Sequence, residues 1–137
     1  MNPVIQEEKT GCGIASVANI LGKSYSEMRK IANAMDIHAS DESLWSDTQY
    51  VRKMLSKYDV KTSEKEIQFE SWSKLPDLAL LSIKNYEENG KKYWHWVVFK
   101  RENHTEIVLD SASYLSSNIR TDFNAMNPKW YIEVKST

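Results

Sequence analysis

The chain is 137 residues long, 41% hydrophobic and 27% charged, with a formal net charge of −1. That length suits a single domain, residues 1–137, around one core, and the balance of 18 basic and 19 acidic side chains leaves no electrostatic footprint for nucleic acid or an anionic membrane. One cysteine excludes an intramolecular disulfide, a CxxC redox pair and a cysteine-rich zinc site, and no apolar run has signal-peptide or membrane-spanning length, so a cytoplasmic protein is expected.

Residues 1–10 read as extended or irregular. A helix is expected from Cys12 to about Leu21, ended by Gly22. Apart from Ser16 and Asn19 it is apolar all round, the mark of a buried helix. Ser24-Tyr-Ser-Glu27 is a capping box that opens a second helix to about Met35. Ser46-Asp-Thr-Gln49 reads the same way for a third, to about Tyr58, with Val51, Met54, Leu55 and Tyr58 on one face. From Val60 the pattern turns to strands. Leu78–Lys84 is a short apolar run after Pro76, Lys92–Lys100 is rich in aromatic and β-branched residues, and Glu106–Asp110 follows. Asn89-Gly90 and Arg101–Thr105 supply the turns between them. The alternating segment Trp130–Lys135 closes the sheet. Helices first and antiparallel strands second predict an α+β domain.

Four residues could carry chemistry. Cys12 stands between Gly11 and Gly13 at the start of the buried helix. There the helix dipole favours a thiolate, free backbone N–H groups can bind an oxyanion, and glycines let main chain and substrate approach. The plainer alternative is a small buried hydrophobe. His38 and His104 fall in polar stretches and read as surface, whereas His95 is embedded in Trp94-His-Trp-Val-Val-Phe99. A His there must be hydrogen-bonded, because an unpaired buried polar group costs about 1–3 kcal/mol. It is either a satisfied core residue or a base fixed by its neighbours. Asp110 ends the next strand, where a hairpin would bring it to His95 as the carboxylate that orients the ring; alone it would be a turn residue. Gln6 could donate its side-chain amide to an oxyanion or be ordinary surface. No His, Cys or carboxylate pair has the close spacing of a zinc motif, and no metal or cofactor is expected.

In order, these residues resemble a known family. Gln6, five residues, then Cys12 within Thr10-Gly-Cys-Gly-Ile-Ala-Ser-Val-Ala-Asn-Ile-Leu-Gly22 is similar to the first motif of the bacteriocin-processing cysteine peptidases, family thirty-nine of the papain-like superfamily. His95-Trp-Val-Val-Phe99 resembles its His motif and Val108-Leu-Asp110 its Asp motif. Leu75-Pro-Asp-Leu-Ala-Leu-Leu-Ser82 resembles the strand leading into the His strand. The resemblance implies a papain-like fold, with Cys12 as nucleophile, His95 as base, Asp110 as orienter, Gln6 in the oxyanion hole, and a peptide or protein substrate. The chain departs from the pattern in three places. Gly11 stands where the family usually has Asp, the helix lacks a second Cys, and Asp110 is followed by Ser-Ala-Ser113 rather than Pro and a Gly-containing turn. Many members are fused to a membrane transporter.

Two functions are compatible with these residues. One is acyl transfer through a thioester on Cys12, with peptide hydrolysis ahead of isopeptide cleavage, deamidation and transacylation. The other is an inactive peptide- or protein-binding module on the same fold. Specificity is expected in the loops Asp36–Trp45 and Ser111–Asn127.

Overall fold

In the computed structural model, which describes residues 3–135, helices α1 (Cys12–Leu21), α2 (Tyr25–Ala34) and α3 (Gln49–Ser56) lie against one antiparallel sheet. Its strands are β1 (Lys61–Thr62), β2 (Ile67–Gln68), β3 (Leu78–Glu88), β4 (Lys91–Glu102), β5 (Thr105–Leu109), β6 (Ile119–Arg120) and β7 (Trp130–Lys135). They run in the order β1-β7-β3-β4-β5-β6, with β2 also paired to β7.

The helices follow from the sequence with one exception. Every residue of α1 from Gly13 to Asn19 is buried, and Gly22 ends the helix at a left-handed φ of 70°. Asn19, one of its two polar residues, accepts from the Val4 N–H at 2.8 Å and ties the N-terminal segment down. The Ser24–Glu27 capping box of α2 forms. The box expected at Ser46 does not. The third helix starts at Gln49, whose N–H donates to the Asp47 carboxylate at 3.1 Å, because a carboxylate is a stronger partner than a hydroxyl for the free donors of a helix start. Thr48 Oγ1 is occupied by Arg52 Nη1 at 2.7 Å. The helix also ends at Ser56, short of Tyr58, as Asp59 turns the chain at φ 59°.

The strands β3 and β4 form a longer hairpin than the apolar runs predict, from Leu78↔Lys100 to Glu88↔Lys91. Asn89 and Gly90, at φ 53° and 77°, make the two-residue turn whose twist matches that of the strands. Asn103 and His104, at φ 52° and 66°, do the same between β4 and β5, so His104 is a turn residue. His38 is exposed beside Asp36.

Both faces of the sheet are covered, which is why β3 and β4 read as nearly unbroken apolar runs. Leu80, Trp96, Val98, Leu109 and Ile132 meet Ile14, Val17, Met28, Met54 and Leu55 on the helix side. Leu81, Val97, Phe99 and Val108 pack on the other side under Phe69, Trp72, Phe123 and Met126. The loop Ser111–Asn127 thus spends Phe123 and Met126 on closing the far face. Burial of each such side chain contributes about 1.5–3 kcal/mol.

Candidate active site

Cys12 is the first residue of α1 and is half-buried. Its flanking glycines make room for two tyrosines rather than for a substrate. A Cβ on Gly11 would lie 2.2 Å from Tyr25 Oη, and one on Gly13 would lie 2.1 Å from Tyr50 Oη. Tyr25 Oη donates to Glu8 Oε1 at 2.6 Å. Burial first, and then that bond to Glu8, raise its pKa above the ordinary phenol value. Tyr50 Oη accepts from Trp96 Nε1 at 3.1 Å. Its pKa is raised well above the ordinary value by burial and by the neighbouring Cys12.

The His95 side is built across three strands. Val98 pairs with Leu109. One step past β5, Asp110 therefore lies diagonal to His95, a span that aromatic side chains bridge. His95 Nε2 and Asp110 Oδ1 are 2.7 Å apart. The Asp110 side chain is 0% exposed and every oxygen on it is used. Oδ1 also accepts the Ala112 N–H at 3.1 Å, and Oδ2 accepts Arg120 Nη1 at 3.0 Å. Arg120 donates Nε and Nη2 to Asp122 at 3.0 and 2.7 Å. Asn118 Nδ2 holds the carbonyls of Asp110 and Ala112 at 2.7 and 2.9 Å.

These contacts set the charges. Burial alone would push the Asp110 carboxyl up. The His95 bond and charge, the Ala112 N–H and Arg120 outweigh it and hold the group at about 2. Burial likewise pushes His95 down, but its bonds to Asp110 and Cys12 raise it to about 9. Both contacts favour the protonated ring. With Nε2 on Asp110, Nδ1 is the nitrogen left to meet the Cys12 sulfur.

Gln6 is not solvated surface. Its N–H donates to the Ser111 carbonyl at 2.9 Å, and its Oε1 accepts from Ser111 Oγ at 2.8 Å. Its Nε2 donates to the carbonyls of Glu8 and Lys9 at 3.0 and 2.9 Å. Two carbonyl acceptors fix which way the amide points. Gln6 thus joins the Asp110–Ser111 segment to the loop that delivers Cys12, with both amide N–H groups engaged on main chain.

Cys12 and His95 open into a cavity of about 230 Å³ lined also by Thr10, Trp45, Tyr50 and Trp94. The Ala39 carbonyl accepts from both Thr10 Oγ1 (2.6 Å) and Trp45 Nε1 (2.9 Å). The loop Asp36–Trp45 is thereby pinned to the rim. Among the described residues no three His, Cys, Asp or Glu side chains group as metal ligands do.

Sequence reasoning missed Arg120 and Asn118. Both belong to or border the two-residue strand β6, which is too short to carry a periodic signal.

No family model matches the sequence, and no curated protein matches it. Among solved structures the chain is similar to a double-glycine motif protease from an AMS/PCAT transporter, crystallised in complex with the leader peptide. The identity is 17% and the TM-score 0.64, over 99% of this chain and 91% of that one. Among the described residues no helix is long and apolar enough to cross a membrane. The chain has the α+β, papain-like fold of that protease, with the Cys12 helix packed on the sheet that carries His95.

Proposed function

We propose that the protein is a cysteine-type peptidase with Cys12 as nucleophile, His95 as general base and acid, and Asp110 as the carboxylate that orients His95. The observation that carries this is the 2.7 Å His95–Asp110 bond placed in one cavity with the first residue of α1. An imidazolium beside the sulfur stabilises the thiolate. The thiolate attacks the scissile carbonyl carbon, and the carbonyl oxygen takes up the negative charge as the C–S bond forms. The backbone N–H of Cys12, unpaired at the helix start, is one donor to that oxygen. As the C–N bond breaks, His95 gives its proton to the leaving amine. Water then attacks the thioester, His95 takes its proton, and the C–S bond breaks to release the acid.

Gln6 is proposed as the second oxyanion donor. Its amide reaches the oxyanion by exchanging one of its two carbonyl partners for the charged oxygen, a stronger acceptor. Gln6→Ala should lower kcat about 10²–10³-fold while Cys12 labelling stays unchanged. Wild-type turnover would remove Gln6 from the site.

The structural relative is a double-glycine motif protease bound to a leader peptide, so peptides with a glycine pair at the cleavage point are the first substrates to try. Deamidation and transacylation use the same parts, and an inactive binding module is the alternative from another class. Iodoacetamide separates that last case. Cys12 should react at pH 6 faster than an ordinary thiol, and His95→Ala should remove the excess. Equal, slow labelling of both proteins would end the enzyme proposal. Cys12→Ala should abolish hydrolysis and leave the fold intact.

A further inference from the structure

We infer that Arg120 is a positioning residue for the base: it holds the outer oxygen of Asp110 so that the inner one stays on His95, and its charge sets the pH range in which Cys12 and His95 work together. The inference rests on the proposal that those two residues are the reacting pair.

A carboxylate has two oxygens, and a buried one must satisfy both. Asp110 Oδ1 takes His95 Nε2 and the Ala112 N–H, and Oδ2 takes Arg120 Nη1 at 3.0 Å. Without that third bond Oδ2 would be buried and empty, and rotation of the carboxylate to find a partner would break its alignment with His95. Arg120 is itself fixed. Its Nε and Nη2 fork onto Asp122, which is geometry a guanidinium supplies and an ammonium does not. Its backbone is set by pairing with Val108. Beside it, Asn118 clamps the Asp110 carbonyl. The two residues of β6 thus place one cation against the far side of the base.

The charged and titratable groups around Asp110 are His95 from β4, Arg120 from β6, Asp122 just beyond it, and Cys12 from α1 through the His95 ring. Removing one positive charge from this group makes every proton in it harder to lose. Both flanks of the pH profile should therefore move to higher pH in Arg120→Gln, by about one unit for a charge at this range in a partly buried site. On the flanks that is about a tenfold change in rate. Arg120→Lys restores the charge without the fork and should bring the flanks back, while leaving turnover at the optimum below wild type.

The experiment measures the rate of Cys12 alkylation by iodoacetamide from pH 3 to 10, with the His95 ring titrated by NMR in the same proteins. Upward movement in Arg120→Gln, reversed in Arg120→Lys, is the expected result. Flanks that stay in place while the melting temperature falls would overturn the inference and leave Arg120 a structural residue. Should Arg120→Gln fail to fold, Asp122→Asn on the exposed side decides: losing a negative charge beside Arg120 must move both flanks down, and no movement overturns the inference. If wild-type Cys12 alkylates like an ordinary thiol, the enzyme proposal fails separately. The NMR titration of His95 then judges Arg120 alone, an unchanged midpoint in Arg120→Gln counting against it.

Discussion

The two halves of the site are held by different forces. Around Cys12 the contacts are mainly steric: Tyr25 and Tyr50 fill the gaps at Gly11 and Gly13, with the first hydroxyl on the Glu8 carboxylate and the second bonded by Trp96. Around His95 they are ionic, a chain from the ring through Asp110 and Arg120 to Asp122. Packed neutral contacts fail when atoms are added. Ionic ones fail when a partner is removed or neutralised. The Cys12 half should therefore be sensitive to size, and the His95 half to charge and pH.

The sharpest break in that comparison is Asp110. Asp110→Ala would leave the largely buried Arg120 without its inner partner and His95 without the carboxylate it bonds. Loss of one member of a buried pair costs about 3–5 kcal/mol, read as a large fall in the denaturation midpoint. Asp110→Asn keeps the shape and should cost mainly turnover, about 10⁴-fold on the scale known for a serine-protease triad. A stable, fully active Asp110→Ala protein would mean that the ionic half does not matter.

The pH dependence of stability should also belong to this half. Asp110 is lowered from 3.8 to about 2, so its contribution is complete above about pH 4 and is lost as pH falls toward 2. His95 is raised from 6.5 to about 9, so its contribution is complete below about pH 6.5 and is lost as pH rises through 9. The pair should stabilise most between about pH 4 and 6.5, by about 2–3 kcal/mol, the two shifts being one interaction seen from both partners. Melting of wild type against His95→Gln across pH checks this. The gap should be widest in that window and close at both ends, and a gap independent of pH would argue for packing rather than charge.

The same division governs what the sequence made legible. Cys12, Gly11 and Gly13 are neighbours in the chain, and the apolar run after them marks α1 directly. The core strands were legible because continuous apolar runs and two-residue turns are local signals. What the glycines accommodate was not legible, because Tyr25 and Tyr50 arrive from later helices. Arg120 was hidden for a related reason: its role comes from a pairing with Val108 that no local pattern encodes. Gln6 was singled out by its spacing from Cys12, but its bonds to Ser111, Glu8 and Lys9 depend on where the end of β5 lands. The start of α3 went to Asp47 because, of two neighbouring candidates, its carboxylate is the stronger partner for a free N–H.

The steric half can be probed with one methyl group. In Gly13→Ala the new Cβ would meet the Tyr50 ring as well as its hydroxyl, at 2.7 and 2.1 Å. That ring is buried and bonded to Trp96, so it cannot swing away. A loss of about 1–3 kcal/mol is expected, unchanged from pH 5 to 8 because no ionic group is involved. Gly11→Ala meets chiefly the tip of Tyr25, which can shift at the expense of its bond to Glu8, and should cost less. If the two substitutions cost the same, the closeness of Tyr50 is not what keeps Gly13 a glycine.

The smallest effect tests how the Cys12 half is supported from below. Tyr50 sits in the first turn of α3, and among the described residues the one side chain that accepts from a backbone N–H at that helix start is Asp47, from Gln49. Asp47 lies one residue before the N-cap, Thr48, and losing its bond to the Gln49 N–H should lower stability in Asp47→Ala by about 0.5–1.5 kcal/mol. Ser46→Ala, at the position the capping-box pattern favoured, should cost close to nothing. The Asp47 effect is partly a charge acting on a helix N-terminus, so part of it should fade in high salt, unlike the Gly13 effect. Because Tyr50 rides on that turn, Asp47→Ala should also weaken the Tyr50–Trp96 contact, seen as faster exchange of the Trp96 indole N–H by NMR. Equal losses at Ser46 and Asp47, or an indole that exchanges no faster, would separate the start of α3 from the packing around Cys12.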